Sequence, residues 1–185
     1  MAVYCGSSTG NNGIFSAACR ELTGVLLVRG IGVVYGGAAT GLMGILADGM
    51  LRGGGDVTGI IPRALTYREI AHEGIRDLRV VGSMHERKLL MAELADGFIA
   101  LPGGTGTLEE ILEVFTWTKL GIHAKPCGVL NAGGFYGLLD DLLNSFVGHG
   151  FLKEKHKKLL VIEEDPETLV EKLVQSEQDL KSYRL

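Results

Sequence analysis

The amino-acid sequence predicts an α/β protein whose mostly parallel sheet carries helices on both faces. Short apolar runs rich in β-branched residues alternate with longer segments of helical periodicity, which is the pattern of βαβ units. The chain has 185 residues, the usual length of one domain and enough to bury a sizeable core. Hydrophobic residues make up 46% and charged residues 22%, so disordered and fibrous classes are excluded.

The apolar runs predict strands, and the periodic segments between them predict helices. The predicted strands are 2–5, 31–35, 57–61, 78–81, 98–101, 127–130 and 159–162. The predicted helices are 13–29, 41–53, 84–96, 107–121, 135–148 and 166–180. Because no proline- or serine-rich linker, low-complexity tract or internal repeat divides the chain, residues 1–185 are assigned to a single domain.

Several helix starts are marked by residues that satisfy free backbone N–H groups. The marking pairs are Ser83 with Glu86, Thr107 with Glu110, and Asp165 with Pro166. The first two have the spacing of a capping box, and the third places proline at the first helical position. The 66–74 segment has no clear period and is expected to be the longest loop beside the sheet.

Charge and cysteine content exclude several function classes. Lys plus Arg number 18 against 22 for Asp plus Glu, giving a net charge of −4, which argues against a nucleic-acid partner. Neither the cysteines nor the scattered histidines have metal-ligand or disulfide-framework spacing, so we expect no metal. No apolar stretch approaches the ~18 residues of a membrane span, and no basic-then-apolar leader begins the chain. We therefore expect a cytoplasmic protein without a membrane partner.

Glycine is unusually frequent, with 28 of 185 residues, about twice the average share. Three glycine clusters follow predicted strands: Gly6-Ser7-Ser8 after the first, the stretch from Gly36 to Gly44 after the second, and the stretch from Pro102 to Gly106 after the fifth. The carboxyl ends of parallel strands lie at one edge of a sheet, where ligands bind. The three loops should therefore converge on one site.

The segment from Pro102 to Glu110 carries the most specific of these clusters. It reads Pro-Gly-Gly-Thr-Gly-Thr-Leu-Glu-Glu between a predicted strand and a predicted helix. The backbone N–H groups of such a loop and the positive end of the helix dipole favour a phosphate. It is neither a P-loop, because no Gly-Lys-Ser/Thr follows, nor a close match to a dinucleotide fingerprint. A tight strand-to-helix turn without a ligand is the alternative.

Charged residues beside this loop each admit two interpretations. Glu110 is either a catalytic carboxylate or the last residue of a capping box that begins at Thr107. Arg87 and Lys88 open a predicted helix, where a cation opposes the helix dipole by ~0.3–1 kcal/mol unless an anion lies there. They are therefore either anion ligands or a solvated basic patch. Cys5, at the end of the first strand, is interpreted as a small buried residue and not as a nucleophile.

Together these residues resemble the LOG ("lonely guy") family of cytokinin-activating phosphoribohydrolases, which are often labelled lysine decarboxylase-like. The family's PGGxGTxxE motif stands here as Pro102 to Glu110, and its arginine-lysine element as Met84-His85-Glu86-Arg87-Lys88. The resemblance extends from Val3 to about Phe151. It implies a Rossmann-like homodimer without a cofactor, which hydrolyses the N-glycosidic bond of an adenine-type nucleoside 5′-monophosphate and releases base and ribose 5-phosphate.

The resemblance also implies site residues. Arg87 and Glu110 occupy the family's catalytic positions. The residues that match its nucleotide-binding positions are Glu69, Lys88, Thr116 and the run Gly104, Thr105, Gly106, Thr107 and Leu108. From the glycine loops and the helix start we add Gly6, Ser7, Gly36, Gly37, Gly103 and Glu109 as candidate substrate-binding residues. Thr105 stands where tyrosine is common in the family, which leaves the preferred base open.

Other functions remain to be compared with this one. A non-catalytic nucleotide or cofactor carrier could use the same glycine loops, but would need only the phosphate-binding part and not Arg87 with Glu110. A structural α/β domain without a ligand would leave the glycine excess unexplained. A pyridoxal-phosphate-dependent decarboxylase needs a Schiff-base lysine, and no lysine stands in a setting that indicates this role.

Overall fold

The predicted strands form one parallel sheet in a computed structural model that describes residues 1–66 and 71–182, with side chains up to residue 176. The strands are β1 (Ala2–Tyr4), β2 (Val33–Tyr35), β3 (Val57–Pro62), β4 (Asp77–Val81), β5 (Phe98–Ala100), β6 (Cys127–Leu130) and β7 (Leu160–Glu163). Their order is β4-β3-β2-β1-β5-β6-β7, and every neighbouring pair is parallel. The order reverses between β1 and β5, which is the position where such sheets bind ligands.

Helices cover both faces of this sheet, as the sequence predicted. Within the described residues they are α1 (Gly13–Val28), α2 (Gly41–Arg52), α3 (Met84–Leu94), α4 (Thr105–Lys119), α5 (Gly137–Gly148), α6 (Glu154–Lys157) and α7 (Pro166–Ser182). The four-residue α6 lies in a lysine-rich segment that is not among the predicted helices. None of the helices in the described part of the chain is both long and apolar enough to cross a membrane.

Alternate residues of each strand supply two separate cores. In β1, Val3 packs with α1, α2 and α7, whereas Ala2 and Tyr4 pack with α3, α4 and α5. Successive side chains of a strand point to opposite faces, and both faces here are apolar. The residues of β1 therefore read as a continuous apolar run in the sequence because both faces of this strand are buried.

Two of the three predicted helix starts are confirmed, and one is wrong. The Ser83 hydroxyl accepts a hydrogen bond from the Glu86 amide at 3.1 Å, and Asp165 caps α7 by accepting from the Thr168 amide at 2.7 Å. The capping box that began at Thr107 does not form. The helix starts two residues earlier, with Gly104 as its N-cap, so Thr107 already lies inside the first turn and is buried.

The start of α2 depends on a glycine. Gly41 has φ +63°, and a Cβ at this position would lie 2.2 Å from the carbonyl carbon of Ser7. The Leu42 amide donates to the Gly6 carbonyl at 3.0 Å, which holds the two loops together. A side chain at residue 41 would therefore meet both an unfavourable dihedral angle and fixed backbone.

We expect Gly41→Ala to lower the free energy of unfolding by about 2 kcal/mol or more, because strain and a backbone clash add. Gly24→Ala is the matched control, since Gly24 lies exposed in the middle of α1 with open space around its Cβ position. That substitution should raise stability by about 0.5–1 kcal/mol through helix propensity. Urea denaturation measures both; equal effects would contradict the close approach at Gly41.

Candidate active site

The three glycine loops meet at the carboxyl edge of the sheet, which confirms the predicted convergence. The Gly6 amide donates to the Pro102 carbonyl at 3.2 Å, so the loop after β1 is bonded to the loop after β5. The Gly6 carbonyl in turn accepts from the Leu42 amide, at the start of the helix that follows the β2 loop. Since β1, β2 and β5 are adjacent in the sheet, their following loops surround one point.

A cavity of about 280 Å³ lies at this point. Its walls come from the β1 loop, the first turns of α4 and parts of α2, α3 and the segment after β3. They are formed by Cys5, Gly6, Ser7, Met43, Leu65, Met84, Arg87, Gly104, Thr105, Gly106, Thr107, Glu109 and Glu110. A second cavity of about 320 Å³ adjoins it and shares Gly6, Ser7 and Gly104, with Phe15 and Phe135 on its far side.

One end of the first cavity is suited to an anion. Gly104, Thr105, Gly106 and Thr107 form the N-terminus of the 15-residue helix α4. The first N–H groups of a helix have no acceptor within it, and the helix dipole places partial positive charge there. Gly104 and Gly106 add no side chain that would keep a ligand from this backbone. Backbone donors can therefore approach a phosphate group closely.

The other end holds a buried pair of opposite charges. Arg87 Nη2 lies 3.7 Å from Glu110 Oε1, and their side chains are only 8% and 9% exposed. The Arg87 guanidinium is not saturated by the protein: Nη1 meets the Met84 sulfur at 3.7 Å, and Nε is buried without a hydrogen-bond partner among the described residues. The described residues thus use only part of the hydrogen-bonding capacity of the guanidinium.

A glycine makes room for this arginine. A Cβ on Gly36, in the loop after β2, would lie 2.1 Å from Arg87 Nη2 and 2.7 Å from the Met43 sulfur. Gly36 is not part of the cavity wall that the described residues form; its lack of a side chain leaves the space that the guanidinium occupies. Three elements thus fix the guanidinium: α3 carries it, α4 supplies Glu110, and the loop after β2 leaves the space that it occupies.

The basic-patch interpretation of Arg87 and Lys88 is wrong, because both side chains are buried or nearly so. Lys88 Nζ lies 2.6 Å from Glu109 Oε1 and 3.2 Å from Glu113 Oε1, and its side chain is 14% exposed. The hydrogen bond to Glu109 raises the pKa of Lys88 above its ordinary value, so it stays charged. The anions that face these cations are carboxylates of α4.

Two further groups at the site are held in their neutral forms. Burial raises the pKa of the Cys5 thiol well above its ordinary value, and Cys19 and Glu110 raise it further. A thiol that stays protonated is a poor nucleophile, which agrees with the interpretation of Cys5 as a buried strand-end residue. Burial, and secondly the charge of Glu110, also raise the pKa of Tyr4 at the end of β1.

Not every predicted site residue reaches the cavity. Among the described residues, six predicted ones are not part of its wall: Gly36, Gly37, Lys88, Gly103, Leu108 and Thr116. Gly103 lines the adjoining cavity instead, and Thr116 is half-buried further along α4. Glu69 lies outside the described residues. No group of three or more His, Cys, Asp or Glu side chains that could hold a metal occurs in the described part of the chain.

The sequence analysis missed the apolar wall. Met43, Leu65 and Met84 line the cavity, and none of them was assigned to the site. Two of these three residues could have been assigned to the site from their positions in the sequence. Met43 lies in the second glycine cluster, and Met84 precedes Arg87 by three residues, so on a helix the two share a face.

The chain is similar in sequence to known proteins over most of its length. The model of a protein family described as "Possible lysine decarboxylase" matches residues 43–173. The chain is 46% identical over 173 residues to the cytokinin riboside 5′-monophosphate phosphoribohydrolase LOG of Oryza sativa subsp. japonica, covering 94% of this chain and 72% of that protein. It is 44% identical over 173 residues to the corresponding LOG1 protein of Arabidopsis thaliana, covering 94% and 81%.

Solved structures with the same fold include proteins of another kind. The Moco carrier protein from Chlamydomonas reinhardtii superposes with a TM-score of 0.70 at 17% identity, and 96% of each chain is covered. The molybdenum cofactor binding protein from Rippkaea orientalis gives a TM-score of 0.68 at 21% identity, covering 95% of this chain and 94% of that one. At such identities the likeness extends to the fold alone.

We expect Arg87 and Glu110 to be coupled energetically, because a buried charge that loses its partner is left uncompensated. A double-mutant cycle with Arg87→Met and Glu110→Gln should give a coupling free energy of about 1–3 kcal/mol in urea denaturation. The control is the exposed pair Arg79 and Asp77, whose coupling should be much smaller because water screens it. Additive effects at the buried pair would contradict the ion pair.

Proposed function

Since this chain belongs to the LOG family, we propose that it hydrolyses the N-glycosidic bond of cytokinin riboside 5′-monophosphates and releases the free base and ribose 5-phosphate. The observation that carries the proposal is the buried Arg87–Glu110 pair in the same cavity as the N-terminus of α4. One end of the cavity offers donors to a phosphate, and the other offers a fixed carboxylate and a cation.

The chemistry requires such a carboxylate. When the bond between ribose C1′ and the base nitrogen breaks, its electrons leave with the base and positive charge develops on the sugar. Glu110, held in position by Arg87, would stabilise that charge in surroundings from which water is largely excluded. A water oxygen then forms the new bond to C1′ and gives up a proton, while the base nitrogen that took the bond electrons gains one, so that the products are the neutral free base and ribose 5-phosphate.

The phosphate would position the sugar for this step. We assign the 5′-phosphate to the backbone N–H groups at Thr105, Gly106 and Thr107, which belong to the α4 N-terminus. Ser7 lines the same cavity and offers a hydroxyl. Binding energy from a group that does not react holds the reacting carbon against the catalytic groups. The proposal therefore requires a monophosphate and not a nucleoside.

The apolar wall supports an N6-modified adenine as the base. Met43, Leu65 and Met84 present methyl and thioether groups, which bind an apolar substituent better than a polar one. Plain AMP is a further possible substrate with a smaller base. Glu69, which the family resemblance assigns to the nucleotide, is kept in the proposal as a binding residue.

The family model is described as a possible lysine decarboxylase, but the chemistry of such an enzyme fits this site less well. Decarboxylation with pyridoxal phosphate begins with a neutral lysine amine that attacks the cofactor. Lys88, the lysine beside the cavity, is held by two carboxylates, and its pKa is raised. An amine whose protonated form is stabilised in this way forms a Schiff base less readily. We therefore propose a hydrolase that uses no pyridoxal phosphate.

We also propose a homodimer in the cytoplasm. Large apolar side chains are exposed on neighbouring elements: Leu89 on α3 is 53% exposed, and Leu120 and Ile122 after α4 are each 64% exposed. Exposed apolar side chains of this kind are suited to contact with a second copy of the chain. The three cysteines are free and buried, which is compatible with a reducing compartment.

We expect Glu110→Gln and Arg87→Ala each to lower the rate of base release from isopentenyl-AMP by about 10²–10³-fold, because the charge at C1′ loses its stabilisation. Glu21→Gln, an exposed change on α1, is the control and should leave the rate unchanged. Chromatography of released base measures the effect. Undiminished rates in both site variants would refute the assigned chemistry.

A substrate panel separates the proposed hydrolase from the alternatives. The unsubstituted chain should release base from isopentenyl-AMP and not from isopentenyl-adenosine, because only the first carries the phosphate. Stoichiometric binding of nucleotide without any released base would instead favour a carrier. Carbon dioxide from lysine would favour the decarboxylase.

We expect Gly36→Ala to lower kcat about 10-fold or more, because its Cβ would displace the Arg87 guanidinium. The fold should survive, since Nη2 is the far end of a flexible side chain. Gly24→Ala serves again as the control and should leave kcat unchanged. Steady-state kinetics, with a thermal unfolding curve for each variant, checks this. An unchanged kcat in Gly36→Ala would show that the reaction does not depend on the space that Gly36 leaves for Arg87.

A further inference from the structure

A methionine sulfur touches the arginine on which the candidate site depends. Met84 is the first residue of α3, and Arg87 Nη1 donates towards its sulfur at 3.7 Å. The two residues are three positions apart on one helix, so they share a face. Both also line the cavity. A chemical change at the Met84 sulfur is therefore a change beside the guanidinium.

Met84 is the most accessible methionine of the chain. The sequence has five methionines, and all of them lie within the described residues. Met84 is 39% exposed, and Met1 is half-buried at the amino end of β1, away from the site. The other three are exposed by 5% or less: Met43, Met50 and Met91. Because oxidation of methionine follows exposure, an oxidant would reach Met84 before the others.

We propose that Met84 is a peroxide-sensitive modification site whose oxidation displaces the Arg87 guanidinium. A lone pair of the sulfur attacks one oxygen of hydrogen peroxide, so that an S–O bond forms and the O–O bond breaks. The sulfur loses two electrons to the peroxide. The second oxygen leaves as hydroxide, takes up the proton of the transferred oxygen and is released as water. The product is methionine sulfoxide.

The new oxygen would compete for the guanidinium. A thioether sulfur is a weak hydrogen-bond acceptor, whereas oxidation makes this side chain polar. An oxygen on the side of the sulfur that faces Arg87 would enter the 3.7 Å gap to Nη1, and an N–H···O bond alone needs ~2.7–3.2 Å between its heavy atoms. Because the S–O bond must fit into the same gap, the guanidinium has to move.

The surroundings of the guanidinium restrict where it can go. A Cβ on Gly36 would already lie 2.1 Å from Arg87 Nη2 and 2.7 Å from the Met43 sulfur, so the loop after β2 leaves no further room on that side. Nη2 also lies 3.7 Å from Glu110 Oε1. Any displacement of the guanidinium therefore alters the ion pair. The effect on base release rests on the proposed hydrolase function, whereas the modification itself does not.

Peroxide treatment of three proteins tests the proposal. They are the unsubstituted chain, Met84→Leu, and Met91→Leu, which removes a buried sulfur from the same helix and keeps Met84. Each protein is treated with hydrogen peroxide, freed from it with catalase and assayed with isopentenyl-AMP. Its rate is compared with that of the same protein before treatment. Peptide mass spectrometry measures the sulfoxide at each methionine, and thermal unfolding verifies the fold.

We expect Met84 to be oxidised about 10-fold faster than Met43, because its exposure is greater. The unsubstituted chain and Met91→Leu should lose about 90% of their rate as the sulfoxide accumulates at Met84, because the catalytic arginine is misplaced. Met84→Leu should keep most of its own untreated rate. Sulfoxide reductases for the two epimers should restore the rate of the unsubstituted chain.

Three results would overturn the proposal. The first is oxidation of Met43 as fast as that of Met84. The second is a loss of rate in Met84→Leu as large as in the unsubstituted chain. The third is complete oxidation of Met84 with an unchanged rate of base release.

The displacement of Arg87 can also be measured without the reaction. Met84→Gln places an amide oxygen on a side chain of similar length, and it should lower the coupling of Arg87 to Glu110 in urea denaturation by about half or more. Met84→Leu, without an oxygen, is the control for this measurement. If the unsubstituted chain releases no base, the proposed function fails, while the mass spectra and this coupling still decide the role of Met84. Equal coupling in the two backgrounds would refute the displacement.

Discussion

The burial of the Arg87 guanidinium beside the Glu110 carboxylate is the constraint that the surrounding elements satisfy. Removing either charge from water is costly unless the other is present, so both helices must carry their partner at the same depth. The β2 loop must also leave out a side chain at Gly36 to make room. Charge, helix position and loop composition are therefore linked, because a change in any one of them disturbs the ion pair.

The same edge of the sheet explains why glycine is so frequent. Where β1, β2 and β5 end together, three loops share a volume that ordinary side chains would overfill. Gly6 bonds to the β5 loop, and Gly41 lies against the backbone of the β1 loop. The backbone that remains uncovered then supplies the donors of the proposed phosphate site. Close packing and the proposed phosphate site thus have one cause.

Much of the fold was predictable, because a parallel sheet covered on both sides leaves continuous apolar runs in the sequence. All seven strands and six of the helices follow from that pattern, and the exception, α6, is a single turn without an apolar face of its own. The start of α4 was wrong by two residues because Thr105 and Gly106, which looked like loop, already have helical conformation. Local sequence does not reveal where a glycine loop ends.

The site was predictable in its motifs and not in the directions of its side chains. Glycine loops and charged helix starts have recognisable spacing, so Arg87 and Glu110 could be named as candidates; their catalytic role came from the family resemblance and stays a prediction. The contact of Lys88 with Glu113 crosses from α3 to α4, over 25 residues of chain, and depends on how two helices pack. Likewise, Leu65 approaches the cavity only because the sheet order places β3 beside β2. Such neighbours arise from tertiary structure, which periodicity does not encode.

Which function a chain of this fold can have depends on whether its site uses backbone groups alone or also particular side chains. An anion site made of backbone N–H groups at a helix start is a property of the loop geometry, and any chain that keeps the glycines can keep it. Hydrolysis under the proposed mechanism needs, in addition, a carboxylate whose charge is fixed and buried, and that depends on two side chains from separate helices. A carrier of the same fold could lose those side chains without losing its phosphate site. The distinction between holding a nucleotide and cleaving it would therefore lie in the packing of α3 against α4, where small changes in charge alter chemistry and leave the sheet unaffected.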